Sequence, residues 1–217
     1  MTRLIDISPP IDDKIAVWPG DVGFSRDVAL SMAKGDNLTL SSIRTTVHVG
    51  AHTDAPNHYA RDGQGIAARP LERYFGPCEV MAVNVPRNTR IQPAHLPHAP
   101  KASRVLFRTG TYPDPQVFNE DFAALSPELI EHLVGHGVVL VGLDTPSVDL
   151  CDDRELLSHN AIARHDLAIL EGVVLDHVEP GIYTLVALPL PLVGVDASPV
   201  RAVLRDDGGQ LEDLRER

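Results

Sequence analysis

Residues 48–58 read His48-Val-Gly-Ala-His52-Thr-Asp54-Ala-Pro-Asn-His58, and this stretch decides how the rest of the chain is interpreted. Three of the ten histidines of the chain lie here. Its histidines and its aspartate all have even numbers, so an extended backbone would direct their side chains to one face. The glycine, the proline and the preceding Thr-Thr-Val disfavour a helix. The spacing therefore predicts a strand that presents imidazoles and a carboxylate together.

Two imidazoles and a carboxylate form a ligand set that suits Zn²⁺, with Mn²⁺ and Fe²⁺ as alternatives. The competing interpretation is a row of hydrogen-bonded histidines on a half-exposed strand. The clustering favours a metal, because so many polar groups buried together need a strong compensating partner. His58 follows a proline, and its spacing leaves three roles open: a further ligand, a group that supports the ligands, or a general acid or base.

The composition is that of an ordinary folded protein, with 43% hydrophobic and 23% charged residues. Lys and Arg total 19 against 30 Asp and Glu, and the net charge of −11 argues against nucleic acid or membrane partners. An aspartate and two prolines lie where a signal peptide would be apolar. Cys78 and Cys151 fit no metal or redox spacing. We expect a single cytoplasmic domain over residues 1–217.

Short β-rich runs dominate the secondary-structure pattern. The predicted strands cover residues 4–7, 38–49, 79–85, 104–108, 138–143, 182–188 and 200–204. A helix is expected to begin at Ser126-Pro127-Glu128 and to stop at Gly137, since these residues suit a helix start and a helix end. A second helix is expected over residues 156–167. The pattern predicts an α/β fold, a mixed β-sheet with flanking helices.

The motif His48-x-Gly-x-His52-x-Asp54-x-Pro-x-His58 resembles the signature of the cyclase family of metal-dependent hydrolases. Within that family the chain is similar to the bacterial kynurenine formamidases, or arylformamidases. The segments that carry this similarity are Asp6-Ile-Ser-Pro-Pro, Val17-Trp-Pro-Gly-Asp21, Leu143-Asp-Thr-Pro-Ser147, Ala168-Ile-Leu-Glu-Gly172 and Asp196-Ala-Ser-Pro-Val-Arg201. The resemblance implies a swivelling β/β/α architecture and a homodimer. It also implies hydrolysis of N-formyl-L-kynurenine to L-kynurenine and formate in tryptophan degradation.

The resemblance further implies two zinc ions per subunit, with Mn²⁺ or another divalent ion as the alternative. His48, His52 and Asp54 would hold one ion. Asp54 would bridge to a second ion held by His159 and Glu171. Without the resemblance, His159 would be interpreted as a helix-surface histidine and Glu171 as a strand-end carboxylate.

Three further residues take their roles from the resemblance. His58 would act as the catalytic proton shuttle, and Trp18 would line the substrate pocket. Asn160 stands where close relatives often carry a second histidine, and we expect no loss of a ligand from that departure.

Other interpretations stay open on the sequence. The chain could be a cyclase-family hydrolase of another cyclic amide, lactam or ester, such as an isatin hydrolase, or a non-catalytic metal-binding protein on the same fold. A serine hydrolase is disfavoured because the sequence has no G-x-S-x-G nucleophile elbow. Asp144 either approaches the site or forms a turn. His132 and His136 are spaced as a metal pair on the predicted helix, although surface positions are favoured.

Overall fold

The computed structural model describes residues 2–206, so Met1 and residues 207–217 of the predicted domain lie outside the described part. Its strands are β1 (Arg3–Asp6), β2 (Ser25–Leu30), β3 (Leu40–Arg44), β4 (His52–Asp54), β5 (Phe75–Ala82), β6 (Arg90–Ile91), β7 (Arg104–Arg108), β8 (Ala124–Leu125), β9 (Leu140–Leu143), β10 (Ala168–Leu170), β11 (Gly181–Val186), β12 (Ala197–Pro199) and β13 (Val203–Asp206). The α-helices are α1 (Pro127–Gly135) and α2 (Leu157–His165). Short 3₁₀ helices cover Met32–Lys34, Pro56–His58, Ile66–Ala68, Leu71–Tyr74 and Pro93–His95.

A seven-stranded mixed sheet in the order β1-β13-β11-β5-β7-β9-β10 forms the framework. In this order, the neighbours among β1, β13, β11 and β5 pair antiparallel. The neighbours among β5, β7, β9 and β10 pair parallel. Because the carboxyl ends of parallel strands meet at one edge, the residues that follow these four strands lie side by side. That edge carries the site described below.

Both faces of the sheet are buried. Along β7, Leu106 packs into one apolar cluster, whereas Val105 and Phe107 pack into the other, as the alternation of a strand requires. The second cluster includes Leu129 of α1 and Ile162 of α2, so the helices cover that face. The predicted α/β class with a mixed sheet and flanking helices is confirmed.

Most predicted elements are present, with shifted boundaries. Helix α1 begins where predicted, because the Ser126 hydroxyl accepts a hydrogen bond of 3.0 Å from the backbone N–H of Leu129. The strand predicted over residues 38–49 ends at Arg44, and the one predicted over 200–204 is displaced to β13. No helix among residues 2–206 is long and apolar enough to cross a membrane.

The prediction that residues 48–58 form one extended strand is wrong outside β4. Gly50 has φ +60, and the backbone around it turns instead of extending. The chain after β4 enters the 3₁₀ helix Pro56–His58. Proline fixes φ near the helical value and suits the first position of such a turn. Alternation therefore holds only for His52 and Asp54, and turns place the flanking histidines.

Backbone pairing fixes β4 at the edge of the main sheet. β4 pairs antiparallel with β12, and the backbone N–H groups of His52 and Glu171 donate to each other's carbonyl oxygens at 3.1 and 2.9 Å. Glu171 directly follows β10. The histidine motif thus lies across the carboxyl end of the outermost parallel strand.

Gly172 allows this crossing. Its φ is +65, and a Cβ at this position would lie 2.3 Å from the carbonyl oxygen of Gly50. No side chain fits at position 172, so the end of β10 approaches the turn at Gly50 closely because residue 172 is glycine, whereas Gly50 supplies the positive φ of the turn itself.

We expect Gly172→Ala to destabilise the fold more than the matched change Gly110→Ala. Gly110 has the same φ of +65, but a Cβ there meets nothing within 4 Å among the described residues. Gly110→Ala should cost about 1–2 kcal/mol for the left-handed conformation alone. Gly172→Ala adds a steric clash of about 1–3 kcal/mol. Thermal unfolding of both variants measures the difference, and equal shifts in Tm would contradict the close approach.

Candidate metal centre

Asp54 lies at the centre of a buried cluster of imidazoles and carboxylates. Its Oδ1 is 3.0 Å from Nδ1 of His48 and 3.6 Å from Nε2 of His52. Its Oδ2 is 3.5 Å from Nε2 of His159. The two oxygens of one carboxylate therefore face different imidazoles, which is the arrangement that a bridging ligand needs.

Glu171 is oriented toward the same cluster. Its Oε1 accepts a hydrogen bond of 2.7 Å from the backbone N–H of Val148, and its Oε2 is 3.2 Å from Nε2 of His52. The ligand atoms of His52, Asp54 and Glu171 all lie within 4.8 Å of one another. Glu171 thus lies beside His52, whereas the family resemblance groups it with His159. The division of ligands between two ions stays a prediction.

The outer ring nitrogens of two motif histidines are held by acceptors. Nε2 of His48 is 2.9 Å from a carboxylate oxygen of Asp196, and Nδ1 of His52 is 2.9 Å from the carbonyl oxygen of Gly50. An acceptor at one ring nitrogen places the N–H there and leaves the other nitrogen as a lone pair. In the neutral rings, the nitrogens that face Asp54 are then the ones that can bind a metal ion.

Asp149 does the same for His159. Its Oδ2 accepts hydrogen bonds from Nδ1 and from the backbone N–H of His159, at 2.8 and 3.0 Å. Its Oδ1 accepts from the backbone N–H of Ser158 and from the Arg90 guanidinium, both at 2.8 Å. One carboxylate therefore anchors the first turn of α2 and orients the ring of His159 toward Asp54.

His58 lies at the rim of the cluster. Its side chain is 37% exposed, whereas those of His52 and His159 are 3% and 4% exposed. Its ring centroid is 4.4 Å from that of His48, and its Nδ1 is 3.6 Å from the Asp196 carboxylate. His58 can therefore exchange protons with solvent from beside the buried groups. Its ligand atom also lies within 4.8 Å of those of His48 and Asp54, so a ligand role stays open.

The buried atoms of the cluster lack partners of their own. Nε2 of His52, Nε2 of His159 and both carboxylate oxygens of Asp54 are inaccessible to solvent and have no hydrogen-bond partner among residues 2–206. Burying such atoms unpaired costs free energy. A divalent cation would satisfy all of them, and nitrogen and oxygen donors suit such an ion. The residues fit a divalent metal.

The ionisation of the cluster follows from its contacts. Burial alone would lower the pKa of His48, but the Asp54 carboxylate outweighs it and raises the pKa to about 9. Burial opposes the charged form of His159 as well, yet Asp149 and Asp54 raise its pKa to about 10. Burial would raise the pKa of Asp54, whereas contact with His159 and His48 holds it well below its usual range. Asp54 is therefore ionised and offers negative charge to a cation.

A cavity of about 940 Å³ opens beside the cluster. Trp18, Tyr112 and Phe118 contribute an aromatic wall, and the Trp18 and Phe118 rings meet edge to face at 5.4 Å. His48 and His58 line the same cavity. Trp18 and His58, the candidate catalytic histidine, therefore line the same cavity.

The other candidate residues from the sequence differ in whether they lie at the cavity. Asp144 lines the cavity and also holds a turn, since it accepts hydrogen bonds from the backbone N–H groups of Thr109 and Gly110, both at 2.9 Å. His132 lies on α1 and is partly exposed, and His136 directly follows the helix and is exposed. Nδ1 of His136 is 2.8 Å from the His132 carbonyl oxygen, and neither histidine belongs to the cluster.

Asn160 is exposed and donates from its amide to the carbonyl oxygen of Glu155 at 2.7 Å. It is a surface neighbour of His159 and takes no part in the cluster.

Sequence reasoning missed the functions of Asp149 and Asp196. Neither residue belongs to a short motif with its histidine, and only the tertiary structure brings each carboxylate to its imidazole. Asp149 lies in a Ser-Val-Asp segment shortly after a fully apolar strand. The sequence signal that could have identified Asp149 was its position near the carboxyl edge of the sheet.

The chain matches the Cyclase family over residues 5–150. Kynurenine formamidase of Bordetella pertussis is 45% identical to it over 208 residues, covering 95% of this chain and 99% of that protein. Kynurenine formamidase of Bordetella avium is 44% identical over 210 residues, covering 96% and 100%. The resemblance to bacterial kynurenine formamidases is confirmed.

Solved structures share the fold. One described as a "predicted metal-dependent hydrolase" from Bacillus stearothermophilus matches with a TM-score of 0.79 at 27% identity, covering 95% of this chain and 99% of that one. Isatin hydrolase A from Labrenzia aggregata matches with a TM-score of 0.77 at 20% identity, covering 94% and 93%. The chain belongs to the Cyclase family of proteins.

Proposed function

We propose that this chain is an arylformamidase that hydrolyses N-formyl-L-kynurenine to L-kynurenine and formate in tryptophan degradation. The observation that carries the proposal is the set of buried, unpartnered donor atoms of His52, Asp54 and His159 beside an aromatic-walled cavity. Relatives that are 45% identical over 95% of the chain are named kynurenine formamidase.

For the metal we propose Zn²⁺, because histidine and carboxylate donors suit it, with Mn²⁺ as the alternative. His48, His52, Asp54, His159 and Glu171 would hold two ions. The orientation of the two Asp54 oxygens supports a bridging position for this carboxylate. A divalent cation bound there lowers the pKa of water and polarises a carbonyl group.

His58 is the proposed proton shuttle. Breaking the formamide C–N bond releases an aromatic amine, whose nitrogen must take up a proton as it leaves. The His58 ring is half exposed and lies within the cavity wall, so it can deliver that proton and recover one from solvent. The Asp196 carboxylate lies 3.6 Å from Nδ1 of the same ring. Asp196 also contacts His48, so one carboxylate lies beside both rings.

The aromatic wall supports an aryl substrate. Trp18 is 38% exposed and presents apolar surface to the cavity, and Phe118 packs against its edge. An aromatic ring bound against such side chains gains edge and face contacts in addition to burial. We therefore assign Trp18 to binding the aryl ring of the substrate.

We also propose a homodimer, with a single domain over residues 1–217 located in the cytoplasm. The hairpin of β2 and β3 supports the dimer, because all its strand residues are exposed and apolar Val28, Leu30, Leu40 and Ile43 are among them. Exposed apolar surface of this kind marks association sites. Sedimentation of the purified chain tests this assembly, and a monomer would contradict it.

The decisive test of the activity compares substrates. The metal-loaded chain should hydrolyse N-formyl-L-kynurenine with a higher kcat/KM than isatin, because the proposed substrate is a linear aryl formamide. A preference for isatin would favour the lactam hydrolase alternative. Absence of turnover on both substrates, with metal bound, would favour a non-catalytic metal-binding protein.

Changes to the proposed distant ligands should lower metal content. His159→Ala and Glu171→Gln should each reduce bound zinc from about two ions per chain toward one, as expected when a direct ligand is lost. His132→Ala removes a partly exposed histidine of α1 that lies outside the cluster, and it should leave the zinc content unchanged. Elemental analysis of the dialysed proteins gives the result, and unchanged stoichiometry in both ligand variants would return these residues to a structural role.

His58→Ala should separate proton transfer from metal binding. Loss of a general acid should lower turnover by about 10²–10⁴-fold while the metal content stays the same. The loss should be largest for poor leaving groups and small for activated esters, which need no proton on departure. Metal content and turnover are measured on one preparation. Loss of metal would instead identify His58 as a ligand.

A further inference from the structure

Arg108 is the one Lys or Arg among the described residues that line the cavity. It is the last residue of β7, and its Nη1 donates a hydrogen bond of 2.6 Å to the carbonyl oxygen of Val178. That bond fixes the guanidinium and leaves its other N–H groups for another acceptor. In a chain with a net charge of −11, an arginine in the cavity wall is a candidate for binding an anionic group of a ligand.

No carboxylate in the described part of the chain forms an ion pair with Arg108. Arg69 is buried, Arg73 and Arg90 are partly buried, and each of them is paired with an aspartate. Arg104 is buried and likewise has no carboxylate partner, but backbone carbonyl oxygens and the Ser103 hydroxyl accept hydrogen bonds from its guanidinium. Asp144 is the nearest acid along the sheet edge, since β9 adjoins β7.

Both carboxylate oxygens of Asp144 accept hydrogen bonds from the loop that follows Arg108. The donors are the backbone N–H groups of Thr109 and Gly110 and the Thr109 hydroxyl, at 2.6–3.0 Å. Asp144 therefore holds this loop in place without pairing with the guanidinium.

The sheet sets the distance between Arg108 and the metal centre. Glu171 follows β10, Arg108 ends β7, and β9 lies between these strands. Neighbouring strands are about 4.8 Å apart, so the two positions are separated by about 10 Å along the sheet edge.

The proposed substrate has a matching length. Seven bonds separate the formyl carbon of N-formyl-L-kynurenine from the carbon of its α-carboxylate. With ordinary bond lengths these groups lie about 7–8 Å apart. A formyl group at the metal centre therefore brings the carboxylate within reach of the Arg108 side chain.

We infer that Arg108 binds the α-carboxylate of the substrate and makes the site selective for formanilides that carry an amino acid. The inference rests on the proposed function. Arginine presents paired N–H donors that match a carboxylate, and such charge-assisted bonds are stronger than neutral ones. An uncharged lactam has no carboxylate for Arg108 and offers it only neutral carbonyl oxygens, so the residue favours the linear amino acid substrate.

The test compares two substrates that differ only in the amino acid part. N-formyl-L-kynurenine carries the carboxylate, and 2-formamidoacetophenone has the same formamide and aryl ketone without it. Arg108→Met should lower kcat/KM for the first by about 10–100-fold, mainly through KM, and leave the second unchanged. Arg108→Lys should recover part of the loss. Arg87→Met should change neither, because Arg87 pairs with Asp121 outside the cavity.

Binding of L-kynurenine gives a readout that does not depend on turnover. The product keeps the α-carboxylate, so calorimetry should show a Kd about 10–100-fold higher for Arg108→Met than for the unchanged chain. Kynuramine, which lacks the carboxylate, should bind both proteins equally. Thermal unfolding and metal content verify that the variants are folded and loaded.

The outcomes separate the inference from the proposed function. Equal losses of Arg108→Met on both substrates, or unchanged affinity for L-kynurenine, would overturn the assignment of Arg108. Failure of the unchanged chain to hydrolyse either substrate would overturn the proposed function. In that case the binding measurement still decides whether Arg108 recognises the carboxylate.

Discussion

The burial of the Asp54 carboxylate among imidazoles is the constraint on which the rest of the site depends. A buried charge is costly unless it is paired, and Asp54 is 2% exposed. The imidazoles of His48, His52 and His159 face it with ring orientations fixed by acceptors on their far sides. Those outer acceptors therefore set which ring nitrogens face Asp54 and are placed to bind a cation together with this carboxylate.

The edge of the main sheet positions the segments that surround Asp54. β4 reaches the cluster only because its backbone pairs with the residue after β10, and the glycines at 50 and 172 allow the two segments to touch. Arg108 belongs to the same edge, two strands away from Glu171. One row of parallel strand ends thus carries both the candidate metal ligands and the arginine proposed for substrate selectivity, and the strand spacing places Glu171 and Arg108 about 10 Å apart.

The sequence predicted the ingredients of the site better than their arrangement. The spacing of His48, His52 and Asp54 indicated a metal, and the composition of the strands indicated a mixed sheet. The predicted alternation of side chains along an extended strand was wrong outside β4, because a positive φ at Gly50 turns the chain. Asp149 and Asp196 escaped notice because their contacts depend on long-range packing, which short spacings do not encode. His159 and Glu171 likewise look structural until tertiary pairing buries them beside the motif.

Stability and function are coupled in this site. The unpartnered atoms of His52, Asp54 and His159 are an energetic cost that the rest of the fold must offset. A cation that binds these atoms in the folded chain, and finds no such preformed set in the unfolded one, adds its binding free energy to the stability of the fold. The same ligand atoms that would hold the cation for catalysis therefore also stabilise the folded arrangement of β4, β10 and α2. Cation binding thus links residues that are far apart in sequence but surround one carboxylate.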